Sequence, residues 1–565
     1  MIRFPAIALL PLLAGSLLAR DAKMSAELRN LDANTSIDVI VQFKSAPGGR
    51  QHNKIRDIHG GILRRSLDIV KSGHYTVPAA ALRALAGDPD VLYISPDRPL
   101  HGLLDNAVPA VNASIAFSSG WDGTGVGIAV IDSGITDDSD LKDSKGALRV
   151  VYQQDFVGGG TDDRYGHGEH VAGIIAGNGA NSDAKHDSRT FRGVAPNANL
   201  VNLRVLDENG NGTDSAVIAA IQEAIQLKSK YNIRVINLSL GRPVFESYTL
   251  DPLCQAVEQA WKAGIVVVVA AGNQGRDNRF GTNGYATIQA PGNDPYVITV
   301  GAMKTMGTAT RGDDLIASYS SKGPTLIDHI VKPDLVAPGN RIISLMASTT
   351  RLAKDYPGNA VPLNYYQNSN GKALSKDYYK MSGTSMAAPM VSGAAALLLQ
   401  QNSRLTPDQV KARLMKTASK NFPATSVATD PTTGAAYISQ YDLFTIGAGY
   451  LDIWAALNSA DASNLPAVSP TAVYDPATGN VTVVNSLSAV WGSSAVWGSS
   501  VVWGSSVWIG GNSVVWGSSV VWGSSVVWGN KTTAGFSVVW GDSVVWGSST
   551  NDHPETIGIA INGEN

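Results

Sequence analysis

Val126-Gly127-Ile128-Ala129-Val130-Ile131-Asp132 is apolar until its last residue, where a carboxylate appears. Three runs of the same kind come after it: ANLVNLRVL from Ala198, IRVINLSL from Ile233 and GIVVVVAAG from Gly264. Near-continuous β-branched runs suit strands covered on both faces, as in a parallel sheet. Between them HVAGIIAG (from His170) and DSAVIAAIQEAIQLKSK (from Asp214) carry helical spacing. The alternation predicts a doubly wound α/β domain over residues 106–460, with a mostly parallel sheet. In such a domain reactive residues collect at the carboxyl ends of strands.

The chain has 565 residues, long enough for several folding units. Its 44 basic and 47 acidic side chains leave a net charge of −3, so no general electrostatic case exists for nucleic acid. An apolar content of 44% excludes wholesale disorder. The single cysteine, Cys254, excludes an intrachain disulfide and any multi-cysteine metal site. It lies on an amphipathic helical pattern without a nearby base, which reads as a buried, inert thiol.

Outside the α/β region the chain changes character. Arg3 precedes the apolar run FPAIALLPLLAGSLLA, the layout of a secretory signal over residues 1–22, with an uncleaved anchor as the alternative. Residues 23–105 hold a small module. SIDVIVQF alternates like a strand, NKIRDIHGGILRRSLDIVKSG reads as one helix-like stretch, and strand, short helix and strand come next. Between an export signal and a large domain such a module suits a propeptide; an ordinary accessory domain is the other reading. Residues 461–488 read as a linker, 489–550 as a repeat and 551–565 as a tail.

The repeat is Val-Val-Trp-Gly-Ser-Ser, and it holds nine of the chain's twelve tryptophans, from Trp491 to Trp546. On a helix six residues turn through about 600°, so these tryptophans would share no stripe. In extended chain six is even, which favours stacked strands or a β-solenoid over the rival reading, disorder. Repeated indoles suit attachment to glycan or a cell surface; a low-complexity spacer is the plain alternative.

Three short motifs carry chemistry. Asp132-Ser133-Gly134 places a carboxylate where a strand ends. Gly166-His167-Gly168-Glu169-His170 places an imidazole at a helix start. Ser382-Gly383-Thr384-Ser385-Met386-Ala387-Ala388-Pro389 places a serine at a helix N-terminus, with Thr384 as the expected N-cap. Backbone N–H groups point outward there and the dipole favours an oxyanion. Serine needs a base to take its proton, and the base needs a carboxylate to fix its tautomer. Asp132, His167 and Ser385 supply those three parts.

With these residues, in this order, the chain resembles the subtilisin-like serine peptidases. The resemblance covers about 350 residues, and GTSMAAP is its most specific motif. It implies a serine endopeptidase acting on protein or peptide substrates, with Ser385 as nucleophile, His167 as base and Asp132 as its orienter. Ser239, Leu240 and Gly241 resemble the segment that pairs with the substrate main chain. Ala271 and Gly272, in Val269-Ala270-Ala271-Gly272-Asn273, resemble the wall of the pocket for the residue before the scissile bond. Asn273 resembles the side-chain donor to the oxyanion. Residues 24–105 resemble the family's inhibitory propeptide, which makes the chain's own N-terminal module an intramolecular inhibitor. Small residues at 239–241 and 270–272 point to broad specificity.

Glu169 stands where the family usually has threonine. Its charge either suits the helix start or raises the pKa of His167. His170 beside His167 matches no two-histidine zinc pattern. No cofactor is needed for the chemistry. The resemblance leaves structural calcium open near Asp137, Asp138 and Asp140, without assigning ligands. The tyrosine-rich stretch 351–380 reads as a rim of the substrate groove or as surface elaboration. Acyl transfer by the same triad, and a binding protein whose working end is the tail, remain as alternatives.

Overall fold

A computed structural model describes residues 23–484, except 25–27, 30, 68–70, 97–103, 184–186, 279–281, 368–372, 431–433, 463 and 476–479, together with residues 559–564. The readings placed on 1–22, on the repeat and on 551–558 lie outside the described residues. The chain divides into two compact units, Met1–His101 and Gly102–Asn565.

In the first unit β1 (Ser36–Phe43) buries Val39, Val41 and Phe43 by strict alternation. Helix α1 (Gly49–His59) ends far earlier than the charged pattern suggests. Gly60 takes a left-handed φ of 64° there, and a Cβ on Gly61 would lie 2.5 Å from Ile55 Cγ2. Two adjacent glycines therefore stop the helix and let the chain turn back. The chain then forms strand β2 (Ile62–Leu67), paired antiparallel with β3 (Ser72–Pro78). With α2 (Leu82–Ala86) and β4 (Val91–Pro96) the sheet has the order β2-β3-β1-β4. The single helix-like stretch is thus a helix and a strand.

The second unit contains the predicted sheet. Strands β5 (Gly127–Asp132), β6 (Val150–Asp155), β7 (Asn199–Arg204), β8 (Ile233–Leu238), β9 (Val266–Ala270) and β10 (Ile298–Lys304) are joined by parallel pairings. Edge strand β11 (Leu315–Ile316) is antiparallel to β10, and β12 (Leu335–Pro338) is parallel to it. The order is β11-β10-β9-β8-β5-β7-β6. Every residue of β5 and β9 is buried, which is why these segments read as unbroken apolar runs.

Strand β5 lies between β7 and β8, and helix α4 (Asp214–Tyr231) carries the chain from one side of it to the other. The winding direction reverses at β5, and a crevice at the carboxyl end of such a strand is where open α/β sheets place ligands. Helix α3 (His167–Ala176) starts beside that end. The later helix α6 (Thr384–Gln401) runs through the core, buried from Met386 to Leu399 on all faces. A helix buried all round needs small or apolar residues everywhere, which accounts for Ala387-Ala388 and Gly393-Ala394-Ala395-Ala396.

Two spans differ from expectation. Part of 461–488 is no free linker. A hairpin of Thr471–Asp475 and Asn480–Val484 attaches to the domain, with Thr471 bridged to Ile330 and Ala472 N–H donating to the His329 carbonyl at 2.8 Å. In the tyrosine-rich stretch Tyr366, Tyr378 and Tyr379 are interior residues. Tyr366 and Tyr378 meet Phe191 edge-on at 5.3 and 4.8 Å, so this stretch makes core more than rim. Cys254 is buried on helix α5 (Pro252–Lys262), and burial pushes its thiol far up, away from reactivity. Among the described residues no helix is long and apolar enough to cross a membrane.

Candidate active site

The end of β5 and the start of α3 meet closely. A Cβ on Gly168 would lie 2.4 Å from the Gly134 carbonyl oxygen, so only glycine lets the helix start so near the strand end. The result is a 2.7 Å hydrogen bond between His167 Nδ1 and Asp132 Oδ1. Asp132 also accepts from the Ser133 N–H at 2.8 Å. Its side chain is fully buried, while 14% of the His167 side chain remains exposed. Burial disfavours the imidazolium, but the Asp132 and Asp163 carboxylates outweigh it and hold the His167 pKa above the ordinary value.

Asp163 was not singled out by sequence. It accepts from the backbone N–H groups of Tyr165 (3.0 Å), Gly166 (2.7 Å) and Glu169 (2.8 Å) and from Ser133 Oγ (2.9 Å). Ser133 Oγ accepts in turn from the Gly168 N–H at 2.8 Å. Asp163 therefore caps α3 from outside the helix and locks it to β5. The only sequence signal was an acid shortly before a helix, in Asp162-Asp163-Arg164-Tyr165, which reads as ordinary loop.

Glu169 lies in the first turn of α3, and both readings of it assume a charged carboxylate. The side chain is buried, and burial followed by the adjacent Asp163 pushes its carboxyl far above the usual range, which favours the neutral acid. A neutral Glu169 contributes no charge to the helix dipole. The groups that raise the His167 pKa are Asp132 and Asp163. Burial, and then His167, pull His170 down to about 3, and its Nε2 donates to the carbonyls of Ile342 and Tyr379 at 3.1 and 3.2 Å. His170 is a buried structural anchor under α3.

Ser385 lies in the first turn of α6. Its Oγ donates to the Ser239 carbonyl at 3.1 Å, and Ser239 Oγ donates back to the Ser385 carbonyl at 2.8 Å. Asn237 Nδ2 supports Ser239 Oγ at 2.9 Å, and Ser392 Oγ of α6 holds Asn237 Oδ1 at 2.8 Å. The end of β8 and the start of α6 are thus tied together. Ser385 Oγ directs its proton at the Ser239 carbonyl, and the hydroxyl must turn before that proton can pass to His167. Long or misaligned catalytic hydrogen bonds are common where no substrate is bound.

Thr384 is not the N-cap. The helix begins at Thr384 with Gly383 preceding it, and the hydroxyl serves a neighbour. Thr384 Oγ1 accepts from the Gly272 N–H at 3.0 Å and donates to Asn273 Oδ1 at 3.1 Å. Asn273 Oδ1 also accepts from the Thr384 N–H at 2.9 Å. Both bonds use the oxygen, which leaves Nδ2 on the other side of the amide. Gly383 has φ 148°, and a Cβ there would lie 3.1 Å from Asn273 Nδ2 and 3.6 Å from the Ser385 nitrogen. The missing methyl keeps open the space that both donors border.

His167, Ser385, Asn273, Ser239, Leu240 and Gly241 line one cleft of about 350 Å³. Ala271 and Gly272 do not line it. The Ala271 N–H donates to Val300, its carbonyl accepts from Gln289, and the Gly272 carbonyl accepts from Ser321. Arg242, unmarked by sequence, also lines the cleft, with its guanidinium paired to Asp214 at 2.8 Å and Asp251 at 2.9 Å. Among the acids considered for calcium, Asp138 Oδ1 accepts from Asp140 N–H and Asn181 Nδ2. Asp140 accepts from the Asn181 N–H and Tyr378 hydroxyl, and burial raises it to about 6. These oxygens already serve protein donors and do not fit a calcium ligand set.

A sequence profile of the Subtilase family matches residues 123–449, a span containing every residue named above that lines the cleft. Serine protease AprX of Bacillus subtilis is 38% identical over 343 residues, covering 59% of this chain and 71% of that protein. Subtilisin E of Bacillus subtilis is 33% identical over 395 residues, covering 68% of this chain and 86% of that protein. A solved cold-adapted subtilisin-like serine proteinase is 29% identical, with a TM-score of 0.39, covering 59% of this chain and 90% of its own. The chain belongs to the subtilase family and is a serine-type endopeptidase.

Proposed function

We propose that the chain is an exported precursor which hydrolyses peptide bonds of protein substrates through an acyl-enzyme on Ser385. The 2.7 Å bond between His167 and Asp132, with Ser385 and the Asn273 amide in the same cleft, carries this reading. His167 Nε2 takes the proton as Ser385 Oγ adds to the scissile carbonyl carbon. Asp132 keeps the tautomer with Nδ1 protonated and stabilises the imidazolium. The Ser385 N–H and Asn273 Nδ2 receive the oxyanion. His167 then protonates the departing amine, and water, deprotonated by His167, releases the acyl group.

Arg242 is answered by two carboxylates, so it offers no uncompensated charge to a substrate side chain. That supports broad selectivity along Ser239-Leu240-Gly241. In the same reading residues 1–22 direct export, residues 23–105 inhibit the peptidase until removed, and the tryptophan repeat attaches the enzyme to glycan or a cell surface. No cofactor enters the chemistry.

Expression of the full chain beside Ser385→Ala tests this. The parent trims itself near residues 100–110 and cleaves casein, and the variant does neither. Full-length, inert protein in both cases would overturn it. A chain ending at residue 484, which keeps the attached hairpin, that still cleaves casein but no longer binds glycan or cells would assign attachment to the repeat.

A further inference from the structure

One part of the cleft wall comes from a distant segment. Ala560 lines the cleft beside Met381 and Ser382, and its carbonyl accepts from the Ser382 N–H at 2.9 Å, three residues before the nucleophile. Residues 559–562 make one helical turn, and Asn359 Nδ2 donates to the Ile561 carbonyl. Gly563 comes next with φ 61°; a Cβ there would lie 2.4 Å from Ser382 Oγ and 2.7 Å from Arg341 Cγ. Only glycine passes this point.

Beyond it Glu564 enters the interior. Its carboxylate meets Arg276 Nη2 at 2.7 Å, Lys304 Nζ at 3.1 Å and the Ser318 N–H at 2.9 Å, and the Ser318 hydroxyl donates as well. Asn340 clasps the backbone: its Nδ2 donates to the Glu564 carbonyl, and its Oδ1 accepts the Glu564 N–H, each at 2.8 Å. The side chains of Glu564, Arg276 and Lys304 are 3%, 8% and 4% exposed. Arg276 is held in advance by Ser318 Oγ at 2.8 Å, Asp430 at 3.4 Å and the Tyr437 ring at 4.7 Å. Burial alone would push the Glu564 carboxyl up, but Lys304, Ser318 and Arg276 together hold it below the usual range. A buried carboxylate needs such paired, hydrogen-bonded partners, and two converging cations select an acid over any neutral residue.

On the other side of the repeat, the hairpin ending at Val484 is bridged to Ile330. We propose that Arg276, Lys304, Ser318 and Asn340 form a docking site for a glycine-glutamate peptide, supplied in cis by residues 562–564. The resulting latch holds the repeat-bearing stretch 485–558 to the peptidase domain by both ends. A cut within the repeat then leaves the far fragment attached, and a free peptide of the same sequence competes for the site.

The test uses the full chain with Ser385→Ala, which removes self-cleavage, and a recognition sequence for a site-specific protease inserted between Thr533 and Ala534. After cutting, the far fragment co-elutes with the domain in size exclusion, and excess synthetic peptide 557–565 displaces it. Glu564→Gln, which leaves the buried cations without their carboxylate, weakens retention by at least about tenfold. Gly563→Val abolishes it. Circular dichroism of both variants checks that the second unit still folds. As a second measurement, the cut Ser385→Ala chain, freed of its far fragment by excess peptide and then of that peptide, binds labelled peptide 557–565, and the Glu564→Gln peptide at least about tenfold more weakly. Release of the fragment from the cut parent, equal retention by both variants, or no binding of the labelled peptide would overturn the latch.

Discussion

Asn273 Oδ1 accepts the Thr384 N–H at 2.9 Å, so the residue preceding the nucleophile decides which end of the amide faces the cleft. The Thr384 hydroxyl adds a second bond to the same oxygen at 3.1 Å. Orientation of the donor is therefore built into the ground state and costs no reorganisation during reaction. Asn273→Ala lowers kcat by about 10²–10³, the loss that removing one such donor causes in subtilisin, a relative of this chain, with KM little changed. Steady-state kinetics on a peptide anilide read this directly; a loss confined to KM would remove Asn273 from the oxyanion.

Gly383→Ala places a methyl 3.1 Å from Asn273 Nδ2 on a backbone at φ 148°. The methyl intrudes between the two donors, and kcat falls at least about a hundredfold, as for loss of a donor. Circular dichroism of the variant stays that of the parent. Unchanged turnover would place the oxyanion elsewhere.

Glu169 separates a pH effect on catalysis from one on stability. Its folded carboxyl lies well above its unfolded value, so it stabilises the fold below the unfolded pKa, and that contribution is lost as pH rises toward the folded one. Glu169→Gln keeps an acceptor for the Ala347 N–H and cannot ionise. The difference in Tm between variant and parent is near zero at pH 4 and grows in the variant's favour by pH 8, on the order of 2 °C. The acid limb of kcat/KM stays superimposed on the parent's, since Asp132 and Asp163 set the His167 pKa. A displaced limb would show that Glu169 carries charge in that range.

Asp334 holds two buried lysines, with Lys332 Nζ at 2.7 Å and Lys411 Nζ at 3.2 Å, all three side chains fully buried. It joins the start of β12 to helix Pro407–Thr417, away from the cleft. Asp334→Ala strands both cations and lowers stability by about 3–5 kcal/mol. Urea unfolding measures the loss, and kcat of the remaining folded protein stays that of the parent. A loss below about 1 kcal/mol would mean that water or neutral lysine relieves the site.

The sheet was legible because its strands are buried on both faces, and burial writes itself into adjacent residues as Val266-Val267-Val268-Val269. Helix α4 was legible from spacing because only one of its faces, Ala216, Val217, Ala220, Ile221 and Ala224, is buried. In the first unit the helix-like stretch misled because Arg64 and Arg65 continue the charged pattern of α1 past Gly60 and Gly61. Only the left-handed φ and the packing under Ile55 end the helix there. The tyrosines of 351–380 misled because a tyrosine alone does not say whether it faces water or Phe191.

By itself the sequence determined the parts whose meaning is local. Asp132, His167, Ser385 and Asn273 each sit at a strand end or helix start that neighbouring residues specify, so their placement was readable from short motifs. Tertiary structure decided the roles that depend on distant partners. It made Thr384 an orienter of Asn273, made Asp163 the cap of the histidine helix, and buried Glu169 beside Asp163, which favours its neutral form. It also brought Glu564 to Arg276 across 288 residues. Desolvation and long-range pairing arise only when the chain closes on itself, and no window of neighbouring residues contains them.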